Sequence, residues 1–173
     1  MPILEFYGKK PQIAASAYVS PRASVIGNVF IGEDSSIWES AVVRGDLERI
    51  EIGRRCAVED NVTIHAKPTR PVQIGNNVII GHNAMVHSAI IEDLVLVGIS
   101  SVVLDQAVIG QGTIIGAGAV VPQRAKIPKL SLVLGIPGKI VKTLPEITLE
   151  ETLQRSKIYY QLSRTYRELE SQK

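Results

Sequence analysis

The sequence is poor in several features that define common classes of protein. Its single cysteine, Cys56, excludes an internal disulfide framework and a zinc site built from cysteines. Nineteen Lys and Arg against 17 Asp and Glu leave a net charge of +2, which argues against a nucleic-acid-binding protein. No apolar run approaches the roughly 20 residues of a membrane-spanning helix, and the first residues lack a signal-peptide pattern. We therefore expect a soluble, cytoplasmic protein that engages neither nucleic acid nor a membrane.

Aromatic residues are also scarce, at 5% of 173 residues, although 45% of the residues are hydrophobic. The core must therefore be aliphatic, and valine or isoleucine recurs every six residues along most of the chain. The positions are Ile13, Val19, Val25, Ile31, Ile37, Val43, Ile52, Val58, Ile64, Ile74, Ile80, Val86, Ile91, Val97, Val103, Ile109, Ile115, Val121, Ile127 and Val133. Glycine often follows the aliphatic residue, and a small residue often stands four positions after it. This pattern is typical of a hexapeptide-repeat β-helix, in which we expect the branched residue to fill the core and glycine to ease the corners.

The six-residue phase is interrupted at three points. Three extra residues follow Val43, four follow Ile64, and one residue is missing after Val86. The second insertion, residues 66–71, contains two prolines and must leave the strand ladder as a loop. Resemblance to known hexapeptide-repeat proteins implies that three hexapeptides close one triangular coil, that the winding is left-handed, and that the chain forms about six to seven coils.

The repeat ends after Val133, so we predict an all-β, left-handed β-helix domain over residues 1–140. Residues 141–173 are predicted to form a linker and an amphipathic helix packed on the β-helix. Thr148 and Glu151 have the spacing of a capping box, which predicts a helix from residue 148 to about 171. We expect this helix to cover apolar surface on the prism, of its own chain or of a neighbour, with the residues at helical spacing: Leu149, Leu153, Tyr160, Leu162, Tyr166 and Leu169.

The three histidines of the chain divide between two faces of the predicted prism. His65 and His87 follow the aliphatic residues of hexapeptides that are one coil apart, so they stack on one face. Arg44 lies one coil earlier in the same column, and Asp46 is two residues beyond it. His82 belongs to the adjacent face, where outward side chains diverge from those of the first.

A threefold assembly would bring the two faces together. Packing three prisms side by side places the His65 and His87 of one chain against His82, Glu59 and Asp60 of its neighbour. Three neutral imidazoles with an open fourth position are the ligand set of a catalytic zinc, which lowers the pKa of a bound water to about 7. We therefore predict a homotrimer with metal sites at its interfaces.

The sequence resembles γ-class carbonic anhydrases over nearly its whole length. The resemblance is carried by Arg-Gly-Asp at 44–46, Asp-Asn-Val-Thr-Ile-His at 60–65, and Ile-Gly-His-Asn-Ala-Met-Val-His at 80–87. It implies a left-handed β-helix homotrimer that hydrates CO₂ reversibly to bicarbonate through a metal-bound hydroxide. It further implies zinc as the metal, with iron(II) or cobalt as possible native substitutes.

The resemblance also implies roles for individual residues. His65, His82 and His87 carry over as metal ligands. Arg44 and Asp46 match the family's ion pair across the subunit interface, close to the site. A C-terminal tyrosine approaches the site in relatives, and Tyr159 is the candidate here, with Tyr160 as the alternate.

The sequence departs from the family pattern beside the predicted metal. Residues 57–60 are Ala-Val-Glu-Asp, where active members have Asn-Val-Gln-Asp. Ala57 removes one polar partner of the reacting water. Glu59 replaces an amide with a carboxylate that, when ionised, can only accept hydrogen bonds. Glu59 either impairs turnover or serves as a general base, and Glu59 and Asp60 are the candidate polar groups around the water.

Two alternatives to a carbonic anhydrase remain. Residues 132–139 resemble hexapeptide acyltransferases, in which Lys139 and Lys142 would contact the phosphates of CoA. An acyl-CoA transferase or thioesterase is therefore the second hypothesis. The third is a metal-binding γ-carbonic-anhydrase-like protein that does not turn over.

Overall fold

A computed structural model describes residues 3–171 of the chain. The outermost residues of the two predicted domains, 1, 2, 172 and 173, lie outside the described residues. Over residues 3–171 the chain winds into a parallel β-solenoid of about seven turns, followed by one helix. Its elements are β1 (Ile3–Leu4), β2 (Gln12–Ile13), β3 (Tyr18–Val19), β4 (Ser24–Ile31), β5 (Ser36–Ile37), β6 (Val42–Ile52), β7 (Ala57–Val58), β8 (Thr63–His65), β9 (Val72–Ile74), β10 (Ile79–Ile80), β11 (Met85–His87), β12 (Ile90–Ile91), β13 (Leu96–Val97), β14 (Val102–Val103), β15 (Val108–Ile109), β16 (Ile114–Ile115), β17 (Val120–Val121), β18 (Lys126–Ile127), β19 (Ser131–Leu134), β20 (Lys139–Thr143) and α1 (Ile147–Ser171).

The strands stack on three faces. The first face has the order β17-β14-β11-β8-β6, and the second has the order β6-β9-β12-β15-β18. The two are joined because the long strand β6 runs from one face onto the next. The third face is the eight-stranded sheet β20-β19-β16-β13-β10-β7-β5-β3. The architecture matches the left-handed hexapeptide-repeat β-helix, so the predicted fold class is confirmed.

The six-residue aliphatic repeat forms the core of the solenoid. Nearly every repeat position is buried, and the two half-buried ones, Ile13 and Val19, pack against the core near the N-terminal end. Equivalent positions are paired one coil apart, as in Val43 with Ile64 and Ile64 with Val86. The period of six therefore sets which residues stack, because each aliphatic residue lies directly above its equivalent in the previous coil.

The glycines after the aliphatic residues have a different role from the one predicted. Corner residues with positive φ include Asn61 and Asn83, both at 59°, so these corners do not need glycine. Gly98 instead lies so close to the next coil that a Cβ there would be 2.5 Å from the backbone oxygen of Ile115. Such a contact is with backbone, which cannot move without breaking the ladder. The prediction that these glycines ease the corners is wrong, because the solenoid requires their small size.

The C-terminal helix matches its predicted span but not its predicted cap. α1 begins at Ile147, so Thr148 lies inside the first turn and is not the capping residue. The predicted domain boundary at residue 140 falls inside β20, which pairs antiparallel with β19. The division into two domains remains a prediction. Although α1 has 25 residues, no helix between residues 3 and 171 is long and apolar enough to cross a membrane.

The face that α1 turns to the solenoid is lined by small hydroxyl residues. The buried ones are Thr148, Thr152, Ser156 and Ser163. Leu162 and Leu169, which we expected to be covered, are 42% and 54% exposed. Short side chains allow the helix to approach β3, β5 and β7 closely, and the serine hydroxyls bond back to carbonyls of the helix itself. The prediction that Leu162 and Leu169 cover apolar surface of this chain is therefore wrong.

Aromatic side chains fasten α1 to the third face. Trp38, buried just after β5, has its ring centroid 5.2 Å from that of Tyr166 and 6.3 Å from that of Tyr159. Tyr18 packs 5.4 Å from Trp38 and donates a hydrogen bond to Glu170. This cluster determines where Tyr159 lies relative to the site described next.

Candidate metal centre

A column of polar side chains rises along the first face. Arg44 on β6 is in register with His65 on β8, which is in register with His87 on β11. Each follows a buried aliphatic residue, so its own side chain points outward. The sequence predicted this column, and the register confirms it. Asp46 lies farther along β6.

The rings of His65 and His87 face each other across one coil. Nδ1 of His65 lies 3.3 Å from Nε2 of His87. The other nitrogen of each ring bonds a carboxylate, His65 Nε2 to Asp46 at 3.1 Å and His87 Nδ1 to Asp105 at 2.9 Å. A neutral imidazole carries one proton, and we assign it in each ring to the nitrogen that contacts a carboxylate, which leaves the two facing nitrogens bare.

Two bare nitrogens at this separation fit one metal ion. Metal–nitrogen bonds of about 2.0–2.1 Å at tetrahedral angles separate two ligating nitrogens by about 3.3 Å. Metal-binding histidines usually donate their second nitrogen to a carboxylate, as both do here. Imidazole suits zinc, iron and cobalt, so this pair is compatible with each of the three metals named by the sequence hypothesis.

The surroundings of the pair favour a neutral His65 and ionised Asp46 and Asp105. Burial lowers the pKa of His65, which favours the neutral, ligating form. Burial opposes ionisation of Asp46, but the hydrogen bonds from Arg44 and His65 outweigh it and hold the pKa of Asp46 below its usual value. The pKa of Asp105 is lowered in the same way, by its bonds from Lys67 and His87 against the effect of burial. Both aspartates are therefore carboxylates at neutral pH.

The third histidine lies apart, on the third face. His82 follows β10, and its side chain is 44% exposed. Its Nε2 is 3.1 Å from Glu59 and its Nδ1 is 2.9 Å from Asp60. Glu59 also accepts the backbone N–H of His82 at 2.9 Å and a hydrogen bond from Tyr159. If Nε2 turned toward a metal, Glu59 would keep two donors and Asp60 would support Nδ1.

Tyr159 reaches the site from α1. Burial raises its pKa, and the hydrogen bond to Glu59 raises it further. The phenol therefore stays protonated and donates to a nearly buried carboxylate. The structure places Tyr159 at Glu59, whereas Tyr160 accepts a hydrogen bond from Arg164 on the exposed side of α1.

One chain does not assemble the whole predicted ligand set. Among residues 3–171 of a single chain, no three His, Cys, Asp or Glu side chains group as a metal site. The structure brings His65 and His87 together and leaves His82 on another face. Arg44 and Asp46 form an ion pair of 2.5 Å within the chain. The predicted ion pair between subunits remains a prediction.

A groove opens beside His82, between α1 and the third face. Its volume is about 530 Å³, and its wall is largely apolar, with Leu96, Ile99 and Ile158 among the lining residues. Glu59, His82 and Tyr159 line it as well. The polar groups of the third face therefore border an apolar space.

Sequence reasoning missed Asp105 and its partners. Asp105 follows β14, one coil beyond His87, and its side chain is 7% exposed. Lys67 from the 66–71 loop and Gln123 from the following coil both bond it, each at 3.2 Å. The available signal was its place one coil beyond His87, beside the column that the repeat predicted.

Comparison with known proteins supplies the family. A family model described as dynactin subunit 5 matches residues 5–167, and the chain belongs to the family that this model covers. A carbonic anhydrase of Geobacillus kaustophilus is 40% identical over 99% of this chain and 94% of its own length. Gamma carbonic anhydrase 2 of Arabidopsis thaliana, a mitochondrial protein, is 32% identical over 95% of this chain and 61% of its own length. The chain belongs to the γ-carbonic anhydrase family.

Solved structures extend the comparison to hexapeptide-repeat transferases. A Bacillus cereus protein provisionally assigned as an acetyltransferase has a TM-score of 0.94 and 36% identity, covering 96% of this chain and 97% of its own. The carbonic anhydrases named above confirm the resemblance to the γ class that was noted in the sequence. The acyltransferase alternative has a solved structural neighbour as well.

Proposed function

We propose that this protein catalyses the reversible hydration of CO₂ to bicarbonate at metal sites shared between the subunits of a cytoplasmic homotrimer. The observation that carries the proposal is the 3.3 Å separation of His65 Nδ1 and His87 Nε2, in two rings whose other nitrogens each bond an aspartate. The two nitrogens form half of a tetrahedral site, and each ring is supported by an aspartate. Membership in the γ-carbonic anhydrase family supports the reaction.

The missing ligand is assigned to His82 of a second subunit. His82 lies on a different face from His65 and His87, so the three diverge within one chain. Closed threefold symmetry would set the first face of each chain against the third face of its neighbour and repeat the contact three times. The three histidines then hold zinc, iron(II) or cobalt.

When bound, the metal supplies the Lewis acidity that makes water a nucleophile at neutral pH. The chain supplies the rest. The Arg44–Asp46 pair orients His65, and Asp60 supports Nδ1 of His82. Glu59, fixed by Tyr159 and by the backbone N–H of His82, is an acceptor that can take a proton from the reacting water.

The position of Ala57 explains what the departure from the family pattern changes. Ala57 is fully buried on β7, beneath α1, so this position offers no polar group to a substrate. Proton transfer would then depend on Glu59, which is the substituted carboxylate. We infer that Glu59 works in place of the amide found in relatives.

The test is stopped-flow CO₂ hydration by protein reconstituted anaerobically with zinc, iron(II) or cobalt, with bound metal measured in the same samples. We expect activity that rises with occupancy up to one metal per chain, and Glu59→Ala protein that binds metal but loses most of the rate. Full occupancy without hydration would refute the proposed reaction.

A second candidate function is acyl-CoA chemistry, and the apolar groove favours it. A groove of about 530 Å³ beside His82 has room for an acyl chain, which CO₂ does not need. Lys139 and Lys142 lie exposed on β20, at the edge of the third face. Thioester hydrolysis or acetyl transfer by metal-loaded protein that does not hydrate CO₂ would support this candidate, and absence of both would support a non-catalytic metal-binding role.

A further inference from the structure

Asp105 is a nearly buried carboxylate that contacts His87, one of the proposed metal ligands. Its Oδ1 accepts Nδ1–H of His87 at 2.9 Å and the ammonium of Lys67 at 3.2 Å. Its Oδ2 accepts an amide hydrogen of Gln123 at 3.2 Å. Donors from three different coils thus hold one side chain in one orientation.

Without Asp105 the two imidazoles could close on each other. His65 Nδ1 and His87 Nε2 are 3.3 Å apart, which is within reach of a hydrogen bond if either nitrogen carries a proton. Asp46 keeps the proton of His65 on Nε2. The position of the proton on His87 therefore matters. On Nδ1 it leaves both facing nitrogens free to bind a metal, and on Nε2 it forms a hydrogen bond to His65.

We propose that Asp105 is a positioning residue that holds His87 as its Nδ1–H tautomer and so keeps the metal-facing nitrogen bare. The proposal deepens the proposed function and rests on its assignment of His87 as a ligand. Asp105 touches no substrate and acts through His87 alone. The facing nitrogens are Nδ1 of His65 and Nε2 of His87, and each aspartate bonds the other nitrogen of its ring.

The 66–71 loop contacts Asp105 through Lys67. Besides its ion pair with Asp105, its backbone N–H donates to Ser88 at 2.9 Å, and Ser88 directly follows His87. The loop is closed by a bridge between Lys67 and Arg70. The insertion that breaks the repeat is therefore tied to the coil that carries the ligand.

The first readout is the histidine tautomer in metal-free protein. Long-range ¹H–¹⁵N spectra at about pH 8, where ordinary imidazoles are neutral, show which nitrogen of each ring is protonated. We expect Nδ1–H for His87 in the wild type and a shift toward Nε2–H in Asp105→Ala. Asp105→Asn, which keeps the shape, should shift the same way by a smaller amount, since its amide is the weaker acceptor. Asp93→Asn is the matched control, because Asp93 accepts the backbone N–H of Asn76 at a corner away from the histidines.

The second readout is metal affinity, measured by competition with a chelator for zinc and cobalt. Loss of a hydrogen-bonded carboxylate behind a ligating histidine typically costs about 10–100-fold in affinity, and we expect this range for Asp105→Ala. Lys67→Met should weaken binding less. Nδ1–H retained in both Asp105 variants, with affinities within about 2-fold of the Asp93 control, would overturn the proposal.

The tautomer measurement separates this inference from the proposed function. Wild-type protein that binds metal without hydrating CO₂ would refute the reaction, while a tautomer shift in Asp105→Ala would still support the positioning role. Active wild-type protein whose Asp105 variants keep Nδ1–H would refute only the positioning role. Because the spectra need no bound metal, Asp105 is tested even if wild-type affinity is low.

Discussion

Removing the hydroxyl of Tyr159 should destabilise the protein more than its exposure suggests. The hydroxyl donates to Glu59, whose side chain is only 5% exposed. A hydrogen bond to an ionised group contributes about 1.5–3 kcal/mol, so Tyr159→Phe should lower the free energy of unfolding by about 2 kcal/mol. Phenylalanine keeps the ring, whose centroid lies 6.3 Å from that of Trp38, so the substitution removes little besides the hydrogen bond.

The neighbouring tyrosine is the matched control. The hydroxyl of Tyr160 accepts an exposed hydrogen bond from Arg164 at 3.2 Å, so Tyr160→Phe should cost no more than about 0.5 kcal/mol. Denaturant unfolding of metal-free protein at one fixed protomer concentration measures both. In a Glu59→Gln background the cost of Tyr159→Phe should shrink, since the charged acceptor is gone. Equal losses for the two tyrosines, or full additivity with Glu59→Gln, would refute this account of Tyr159.

Three further predictions follow from packing and charge. Gly98→Ala would place Cβ 2.5 Å from a backbone oxygen of the next coil, so it should lower the free energy of unfolding by about 3 kcal/mol. Gly118 has open space around it and a φ of +67°, so Gly118→Ala should lower it by only about 1 kcal/mol. Equal losses for the two variants would contradict the close-packing argument. The pKa values of Asp46 and Asp105 are lowered in the folded protein, so as the pH falls the unfolded chain takes up these protons before the folded protein does. The free energy of unfolding should therefore decrease below about pH 4. Asn at both positions should make this decrease smaller in denaturant unfolding curves. Burial raises the pKa of Cys56 to about 12, so a thiol reagent should label it only at the rate of unfolding, and rapid labelling of the native protein would contradict this.

Much of the fold and half of the site could be predicted from the spacing of aliphatic residues. A period of six fixes which residues stack one coil apart, so the column of Arg44, His65 and His87 followed from counting. The same counting placed His82 on a different face. Stacking in a solenoid depends on backbone register alone, which one sequence determines well.

The remaining features depend on side-chain directions that the repeat does not set. Asp105 reaches His87 from a turn in the next coil, and that contact needs the rotamers of both residues. The helix was predicted from a capping box and from leucines and tyrosines at helical spacing. Thr152 and Ser156 nevertheless face the solenoid, because their short side chains let the helix lie close to the sheet. Close approach also explains why Gly98 is glycine without a positive φ.

The central claim is that each metal site takes His82 from one subunit and His65 with His87 from another. His65→Ala and His82→Ala chains, each unable to complete a site alone, test it when they are refolded together in equal amounts. If chains enter a closed trimer at random, about a quarter of the interfaces pair an intact first face with an intact third face.

The account predicts that this mixture binds metal tightly, and hydrates CO₂, at about a quarter of the wild-type level. A mixture of His65→Ala with His87→Ala is the control, and it should regain nothing because both ligands come from the same chain. Metal binding that never recovers in the first mixture, or that recovers equally in both, would contradict the shared site.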